Sequence, residues 1–565
     1  MKFWSTSLLL LCFAWACSPE PADLVILDGN IYTLNEAAPQ AQAVAVRDGR
    51  ILEVGPNEAI KAYISPATEV IDLEGKTLVP GFIESHGHIL GLGQFKRQLD
   101  LTQVANYDEL VEMVKLAAEN TPEGTWILGR GWHQSKWIPQ PEVMVKGYQV
   151  HDKLSAVSPN HPVMLTHASG HAVFANQKAM EVAGITAQTQ VGVDGEIIRD
   201  GSGRATGIFS EDAEALIAHF IPKDTKESLR QDLKAAVTEC LTYGITSFQD
   251  AGSNANGIEV YREAVAHDEL GIRLWVMLSG SDSTLLSEWY QHGPEVGDHL
   301  TVRAIKLYAD GALGSRGAWL LEEYKDRPGH FGNPLQPMAN IQKIAENGLA
   351  HGFQVCTHAI GDRANREVLD RYAKAFAKHP EKAHDHRFRV EHAQHLHPED
   401  IPRFSELEVI ASMQGIHMSS DRPWAINRLG QLRIQLGAYM WQRLIQSGAR
   451  VINGTDTPVE PVNPFACYYA SVTRKTLAGT PNEGYEADQR MTRMQALRSY
   501  TLDAAYGAFE EQKKGSIEVG KYADFAVLSK DIITCSEREI LQTEALMTFV
   551  GGELKYERKE ATAEN

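Results

Sequence analysis

The chain has 565 residues, of which 43% are hydrophobic, and it carries a formal net charge of −19. This length exceeds what one hydrophobic core usually supports, so it predicts a large domain with a smaller one beside it. The excess of acidic residues argues against a nucleic-acid partner, because such partners require a basic surface.

Residues 1–17 are typical of a bacterial lipoprotein signal peptide. Lys2 supplies a positive start, residues 8–15 form an apolar core, and small residues precede Cys17. The apolar stretch is too short to span a bilayer. We expect an exported protein that lipidated Cys17 anchors to a membrane of the bacterial envelope, with no other membrane contact. If Cys17 is not lipidated, a cleaved signal and a periplasmic or secreted protein are the alternative.

Both ends of the chain contain short predicted β-strands. Residues 23–79 form a series of strands, in which the Asp-Gly pairs at Asp28 and Asp48 indicate hairpin turns. Residues 515–560 have the same character. The pattern alone allows either one shared β-domain or two separate small ones.

A Pro-Gly turn then leads into an apolar run that ends in His86-Gly87-His88. In a β-strand, residues two apart point to the same face, so these two imidazoles lie side by side. Imidazole is a good ligand for zinc, iron and nickel. The chain has 21 histidines, however, so the pair alone also fits two polar residues at a strand end.

Four later segments have the apolar character of a strand and contain or end on a further candidate ligand. These ligands are Lys306, His358, His392 and Asp456. Between them, residues 341–351 and 364–378 have apolar residues at helical spacing. Strands alternating with helices predict a parallel sheet, and active sites of such barrels lie at the carboxyl ends of the strands.

These segments resemble the amidohydrolase superfamily and, within it, the YtcJ-like branch (amidohydrolase family 3), which includes N-substituted formamide deformylases. The matching motifs are IKLYADGALGSRGA (305–318), VCTHAIGDRAN (355–365), RVEHAQHL (389–396) and INGTDTPVEPVNPF (452–465). The similarity extends from about residue 23 to about residue 556. Glu84 departs from the family, which commonly has aspartate two residues before the first histidine.

The resemblance implies an α/β fold: a (β/α)8 TIM-like barrel over residues 80–514, with a composite β-sandwich domain formed by residues 23–79 and 515–560. We place the eight barrel strands at residues 79–85, 246–250, 273–278, 302–308, 353–357, 387–391, 409–413 and 451–454.

Residues 91–236 are too long for one connection between a strand and a helix, and they resemble the branch's insertion subdomain. Trp132, His171 and Asn176 are candidate substrate-binding residues there, and core positions in the insertion are the equal alternative. Arg316 is a further candidate for substrate binding, although a salt bridge within its loop is slightly favoured. His395 and His397 are interpreted as loop residues.

The resemblance also implies a centre of two divalent metals, zinc first, with iron, manganese or nickel as alternatives. His86, His88 and Asp456 would hold one metal, and His358 and His392 the other. Lys306 would bridge them as a carbamate, since a neutral amine can capture carbon dioxide. The alternative is a structural Lys306 paired with an acid such as Asp310, and a one-metal site. Glu391 and Asp362 are candidate partners of the ligand histidines.

The predicted function is hydrolysis of a C–N bond in a small amide, N-substituted formamide or cyclic amide by a metal-activated water, with Asp456 as proton acceptor and donor. The alternatives are a one-metal deaminase on the same barrel and a non-catalytic surface lipoprotein. A homodimer is possible on the sequence. No stretch of sequence names the substrate.

Overall fold

The computed structural model describes residues 20–167, 172–191 and 195–559. The predicted signal peptide with Cys17, and His171, lie outside these described residues. No helix within the described ranges combines the length and the apolar character needed to cross a membrane.

A barrel of eight parallel strands forms the centre of the molecule, and each strand pairs with the next one along the chain. The strands are β1 (Phe82–Gly87), β2 (Ile245–Ser253), β3 (Arg273–Ser279), β4 (Leu300–Tyr308), β5 (Gln354–Ala359), β6 (Arg389–His392), β7 (Ile410–Met413) and β8 (Val451–Asn453). The two-residue strand Glu295–Val296 also pairs with β4. Beyond the ends of the paired region, the Asp456 N–H donates to His86 O at 2.8 Å and brings β8 against β1.

The strands form because their runs are apolar on both faces, as parallel sheets covered by helices require. Every residue of β1 is buried, for example. The helices that follow the strands present apolar residues at helical spacing to the barrel, such as Val368, Leu369 and Tyr372. The helices from Ile89 onward in the barrel are Ile89–Arg97, Lys226–Thr242, Ala255–Ala266, Ser283–His292, Met338–His351, Asp362–Lys378, Ile401–Glu406, Gly415–Leu429, Gln431–Gly437, Trp441–Gln446, Pro464–Thr473, Arg493–Ser499 and Leu502–Gly507, with 3-10 turns at Ala383–Asp385 and Ala487–Gln489.

Strands from both chain ends combine into two small sheets that share one hydrophobic core. In the first sheet, Leu24–Leu27 lies between Ala43–Arg47 and Glu69–Asp72, with Arg50–Gly55 at the edge. In the second, Thr77–Pro80 pairs antiparallel with Phe525–Leu528. The remaining strands of that sheet are Asn30–Tyr32, Gln40–Ala41, Ala545–Val550 and Glu553–Glu557, and the short helices here are Asn57–Ile60, Lys61–Tyr63 and Glu537–Ile540. The structure therefore confirms one composite β-domain built from both chain ends and not two separate β-domains.

The segment after β1 contains a mixed six-stranded sheet with its own hydrophobic cores. The strands, in sheet order, are Glu196–Arg199, Ala205–Ser210, Ala172–Ala175, Val163–His167, Ile127–Trp132 and Leu99–Asp100, beside a hairpin of Met144–Val145 and Tyr148–Gln149. The helical segments are Tyr107–Glu119, Gln134–Lys136, Asp152–Val157, Gln177–Val182, Glu211–Glu214 and Ala215–Ala218.

The structure confirms the barrel and corrects the start of its first strand. Residues 79–85 were predicted as one strand, but Val79 belongs to the composite sheet and β1 begins at Phe82. Gly81 separates the two, and a Cβ there would lie 2.2 Å from Thr246 Oγ1. A residue without a side chain is needed at this close approach.

Candidate metal centre

The six predicted metal ligands come from the carboxyl ends of five barrel strands or the loops directly after them. They are His86, His88, Lys306, His358, His392 and Asp456. All six line one cavity at this end of the barrel. Parallel strands bring their carboxyl ends to one edge, so residues more than 350 positions apart meet there.

Three of these residues form a compact cluster. The ligand atoms of His86, His88 and Asp456 all lie within 4.8 Å of one another. Asp456 Oδ1 is 3.3 Å from His88 Nε2 and 3.5 Å from His86 Nε2. Two imidazoles and a carboxylate are a donor set that suits zinc and related divalent metals, so the residues present fit a metal.

Lys306 lies beside this cluster without an acidic partner. It is 1% exposed, and its Nζ is 2.9 Å from His86 Nε2. Among the described residues, no carboxylate oxygen lies within 4.0 Å of that nitrogen. Asp310 does not pair with Lys306, because its carboxylate accepts from the Ile360, Gly361 and Trp319 N–H groups.

His358 and His392 pack ring to ring with centroids 4.4 Å apart, and the His392 ring centroid is 5.0 Å from that of His86. His392 Nδ1 lies 2.7 Å from Gln414 Oε1, a pure acceptor, so Nδ1 donates and Nε2 keeps its lone pair. His358 Nε2 has no hydrogen-bond partner and lies 3.5 Å from Asp310 Oδ1. Gln414 is not among the site residues predicted from the sequence.

The two predicted partners of the ligand histidines fare differently. The Glu391 carboxylate lies 2.5 Å from His86 Nδ1, which fixes the ring with Nε2 facing the cluster. Asp362 contacts no ligand histidine; it accepts from the Leu321 and Arg363 N–H groups. Asp362 begins the helix after β5 and is not among the residues that line the cavity.

Glu84, which stands where the family commonly has aspartate, has a structural role. Its buried carboxylate accepts from the Thr455 N–H at 2.8 Å, the Thr455 hydroxyl at 2.9 Å and the His86 N–H at 3.1 Å. These bonds join the segment after β8 to β1. Burial raises the pKa of Glu84 to about 8.

The electrostatics keep the imidazoles of His86, His358 and His392 neutral and the Asp456 carboxylate ionised. Burial lowers the pKa of His358 to about 3 and the pKa values of His86 and His392 below their ordinary range. Burial alone would raise the pKa of Asp456, but the bond with His88 and the nearby His86 and His392 hold it well below its usual value. Neutral imidazoles and an ionised carboxylate are the forms that bind metals.

Two of the ligands adopt a left-handed backbone conformation that L-residues rarely occupy. Asp456 has φ of 59° and His392 has φ of 74°. Non-glycine residues in this region concentrate at functional sites, where the surrounding structure stabilises them.

The cavity has a volume of about 780 Å³. Besides the six ligands, its lining residues come from the end of β4 and from the loops and the helix that follow β4 to β8. They are Tyr308, Ala312, Leu313, Gly314, Ile360, Gln394, His417, Asp421, Trp424, Val459 and Glu460. Within the described ranges, no residue of 91–236 lines it.

Trp132 and Asn176 are therefore structural residues of the insertion and not cavity residues. Trp132 is fully buried, and its indole N–H donates to Leu165 O at 2.8 Å. Asn176 caps the helix Gln177–Val182 and donates from its side chain to Ser158 and His161. Such capping is why asparagine precedes a helix.

Arg316 lies in the loop after β4 and pairs with Asp326, its Nη2 2.9 Å from the carboxylate. It is not a cavity residue, because this bond and a second one from Nε commit the guanidinium to the loop. His395 and His397 follow β6 and lie outside the cavity, as interpreted from the sequence.

Comparison with known proteins identifies the class. Residues 69–556 match the sequence model of the amidohydrolase family, specifically amidohydrolase family 3. The chain therefore belongs to the amidohydrolase family, and the family resemblance drawn from its motifs is confirmed.

The relatives cover almost the whole chain. Protein LONG AFTER FAR-RED 3 of Arabidopsis thaliana is 33% identical over 95% of this chain and 92% of its own. YtcJ of Bacillus subtilis (strain 168) is 32% identical over 94% of this chain and 98% of its own. N-substituted formamide deformylase of Arthrobacter pascens is 29% identical over 95% of this chain and 98% of its own.

Among solved structures, an uncharacterised metal-dependent hydrolase from Pyrococcus horikoshii OT3 matches with a TM-score of 0.75 and 26% identity. The match covers 91% of this chain and 99% of that one. Fold, ligand cluster and family together define a metal-dependent hydrolase of the amidohydrolase family.

Proposed function

We propose that the protein hydrolyses a C–N bond in a small amide, N-substituted formamide or cyclic amide. The observation that carries the proposal is the cluster of His86, His88 and Asp456 ligand atoms within 4.8 Å, at the carboxyl ends of barrel strands and open to a cavity. The similarity to N-substituted formamide deformylase over 95% of the chain supports this choice of bond.

The centre would hold two divalent metals, with zinc first and iron, manganese or nickel as alternatives. His86, His88 and Asp456 would bind one, and His358 and His392 the other. When bound, the metals supply an activated water and a Lewis acid that polarises the carbonyl.

Lys306 would join the two halves of the site as a carbamate. It is buried, and no carboxylate of the described part of the chain lies within 4.0 Å of its nitrogen. Burial lowers the pKa of Lys306, which favours the neutral amine that captures carbon dioxide. Its Nζ lies 2.9 Å from His86 Nε2, and the His86 ring centroid is 5.0 Å from that of His392.

The residues of the chain then divide the remaining work. The ionised Asp456 carboxylate accepts the proton of the attacking water and returns it to the departing amine. Glu391 orients His86, and Gln414 orients His392, so that one ring nitrogen of each faces the site.

Amine release from a panel of amides and formamides, followed for the metal-loaded protein and its Asp456→Asn variant, tests this function. We expect hydrolysis of at least one class and its loss in the variant. Turnover that survives in Asp456→Asn would contradict the assigned role. Deamination of a ring amine in place of amide cleavage would instead favour the one-metal alternative. Support for that alternative is that the compact ligand cluster found within the described ranges has three members.

We also propose that the protein acts outside the cytoplasm on a small molecule, anchored through lipidated Cys17 and without a nucleic-acid partner. The support is the sequence of residues 1–17 and the net charge of −19. Labelling with radioactive palmitate should mark the wild type and not Cys17→Ser; label in both would contradict the anchor.

A further inference from the structure

One wall of the cavity carries two carboxylates that no cation neutralises. Asp421 and Glu460 line the cavity together with the ligand Asp456. In the part of the chain that the structure describes, no Lys or Arg nitrogen lies within 4.0 Å of either carboxylate. The polar contacts of Asp421 are long: Gln394 Nε2 at 3.4 Å and Ser420 Oγ at 3.5 Å.

The nearest arginines in sequence are committed elsewhere. Arg422 follows Asp421 directly but pairs with Glu486, its Nη2 2.7 Å from the carboxylate. Arg428, on the same helix, pairs with Asp326. Burial raises the pKa values of both Asp421 and Glu460, as expected for carboxylates that lack a counter-ion.

His417 supplies a second, independent sign of a ligand. Its side chain lines the same cavity and is 8% exposed, yet its Nε2 has no hydrogen-bond partner. Buried polar atoms are nearly always paired, and leaving one unpaired is costly. A ligand in the cavity would supply the missing partner.

We propose that this acidic wall, defined as His417, Asp421 and Glu460, binds an ammonium group of the substrate. The preferred substrate is then an amide with a basic amine at the end away from the scissile bond. The inference rests on the proposed amide hydrolysis and deepens it by naming the class of substrate.

The chemistry of the wall matches an ammonium group. Such a group has three N–H donors and no acceptor, and the wall offers two carboxylates and an unpaired ring nitrogen. The indole of Trp424 also lines the cavity, where an aromatic face attracts a cation. Lys306 is the one Lys or Arg among the lining residues, and it lies among the metal ligands and not at the acidic wall. A substrate carboxylate at the wall would therefore face two carboxylates without a cation and be repelled.

Three formamides of equal chain length test the proposal: N-(4-aminobutyl)formamide, N-(4-hydroxybutyl)formamide and 4-formamidobutanoate. The measurement is kcat/KM in the wild type, in Asp421→Asn and Glu460→Gln, and in Glu322→Gln. Glu322 is a matched control, because its carboxylate lies outside the cavity and its ion pair with Arg433 is long, at 3.9 Å.

We expect the ammonium probe to exceed the hydroxyl probe by at least about tenfold, the effect of one charge-assisted hydrogen bond, with the carboxylate probe slowest. That ratio should fall toward one in both wall variants and stay unchanged in Glu322→Gln. An equal or faster hydroxyl probe, or a ratio that survives in both wall variants, would overturn the proposal.

A binding measurement separates this inference from the proposed function. If the metal-loaded protein hydrolyses no amide or formamide, the proposed function fails. Titration calorimetry with n-butylammonium chloride then still tests the wall: weaker binding in Asp421→Asn than in wild type supports it, and equal or no binding in both overturns it.

Discussion

Arg273 and Lys306 are both buried in the barrel, but their surroundings differ. Arg273, at the start of β3, lies against the composite sheets and donates from Nε and Nη2 to the Asp524 carboxylate at 2.8 and 3.0 Å. Lys306, near the end of β4, is equally buried but has no carboxylate partner among the residues that the structure describes. Burial lowers the pKa of Lys306, whereas Asp524 outweighs burial and raises the pKa of Arg273.

The difference in pairing indicates different roles for Arg273 and Lys306. A buried charge is costly unless it is paired, so Arg273 serves the seam between barrel and sheets. Lys306 has an environment that favours the neutral amine and places it beside histidines, which is suited to chemistry and not to stability. Stability and function are thus assigned to opposite ends of the same barrel.

Removing the negative charge of Asp456 should give the largest loss of activity of any change at the metal centre. In Asp456→Asn we expect kcat to fall by about 10³-fold, because the proton acceptor and a metal ligand are lost together. Steady-state amine release measures this, with circular dichroism to show that the variant is folded. Activity near that of wild type would contradict a catalytic role for Asp456.

The seam should respond in stability and not in catalysis. Arg273→Met leaves the Asp524 carboxylate buried without its partner, so the free energy of unfolding should fall by about 3–5 kcal/mol. Urea denaturation measures this, and Arg273→Met combined with Asp524→Leu should recover much of the loss.

Lys306→Met is the matched control for the seam variant. In metal-free protein it should leave the free energy of unfolding unchanged or higher, because it removes a buried cation that has no acidic partner. A loss as large as that of Arg273→Met would erase the distinction between the two cations.

Glu391→Gln should weaken the metal site more moderately. The amide keeps the size of the side chain but loses the charge that fixes His86, so metal affinity should fall by about 10- to 100-fold. Competition with a chromogenic chelator measures it. Unchanged affinity would mean that Glu391 only supports the fold.

Arg316→Ala should have the smallest effect. The side chain pairs with Asp326 outside the cavity, so kcat and KM for any amide substrate should remain as in wild type. A marked rise in KM would show that the loop after β4 brings Arg316 to the substrate.

Much of the fold followed from sequence because the barrel strands are short apolar runs that end on polar residues. The His-x-His spacing and the strand-end positions of Lys306, His358 and His392 predict where these residues lie. Boundaries were less accurate: β1 begins three residues later than predicted, since Gly81 ends the preceding sheet strand.

The partners of the site could not be read from sequence. Asp362 is predicted to orient a histidine, but its carboxylate accepts from the Leu321 N–H, and it is Gln414 that contacts the ring of His392. Trp132 and Asn176 satisfy their polar groups within the insertion, through contacts that no spacing reveals. The segment MQGIHMSSD after β7 places the polar residues Gln414, His417 and Asp421 at a strand end, but their spacing does not show which of them contacts a ligand histidine.

Metal content of the purified protein tests the central claim most directly. Plasma mass spectrometry on wild type and Lys306→Ala would count metals per chain, with Arg316→Ala as a control. The account predicts about two metals per chain in wild type and the control, and a clear loss in Lys306→Ala. One metal per chain, unchanged in Lys306→Ala, would contradict it and would mean that Lys306 does not bind metal in a one-metal site.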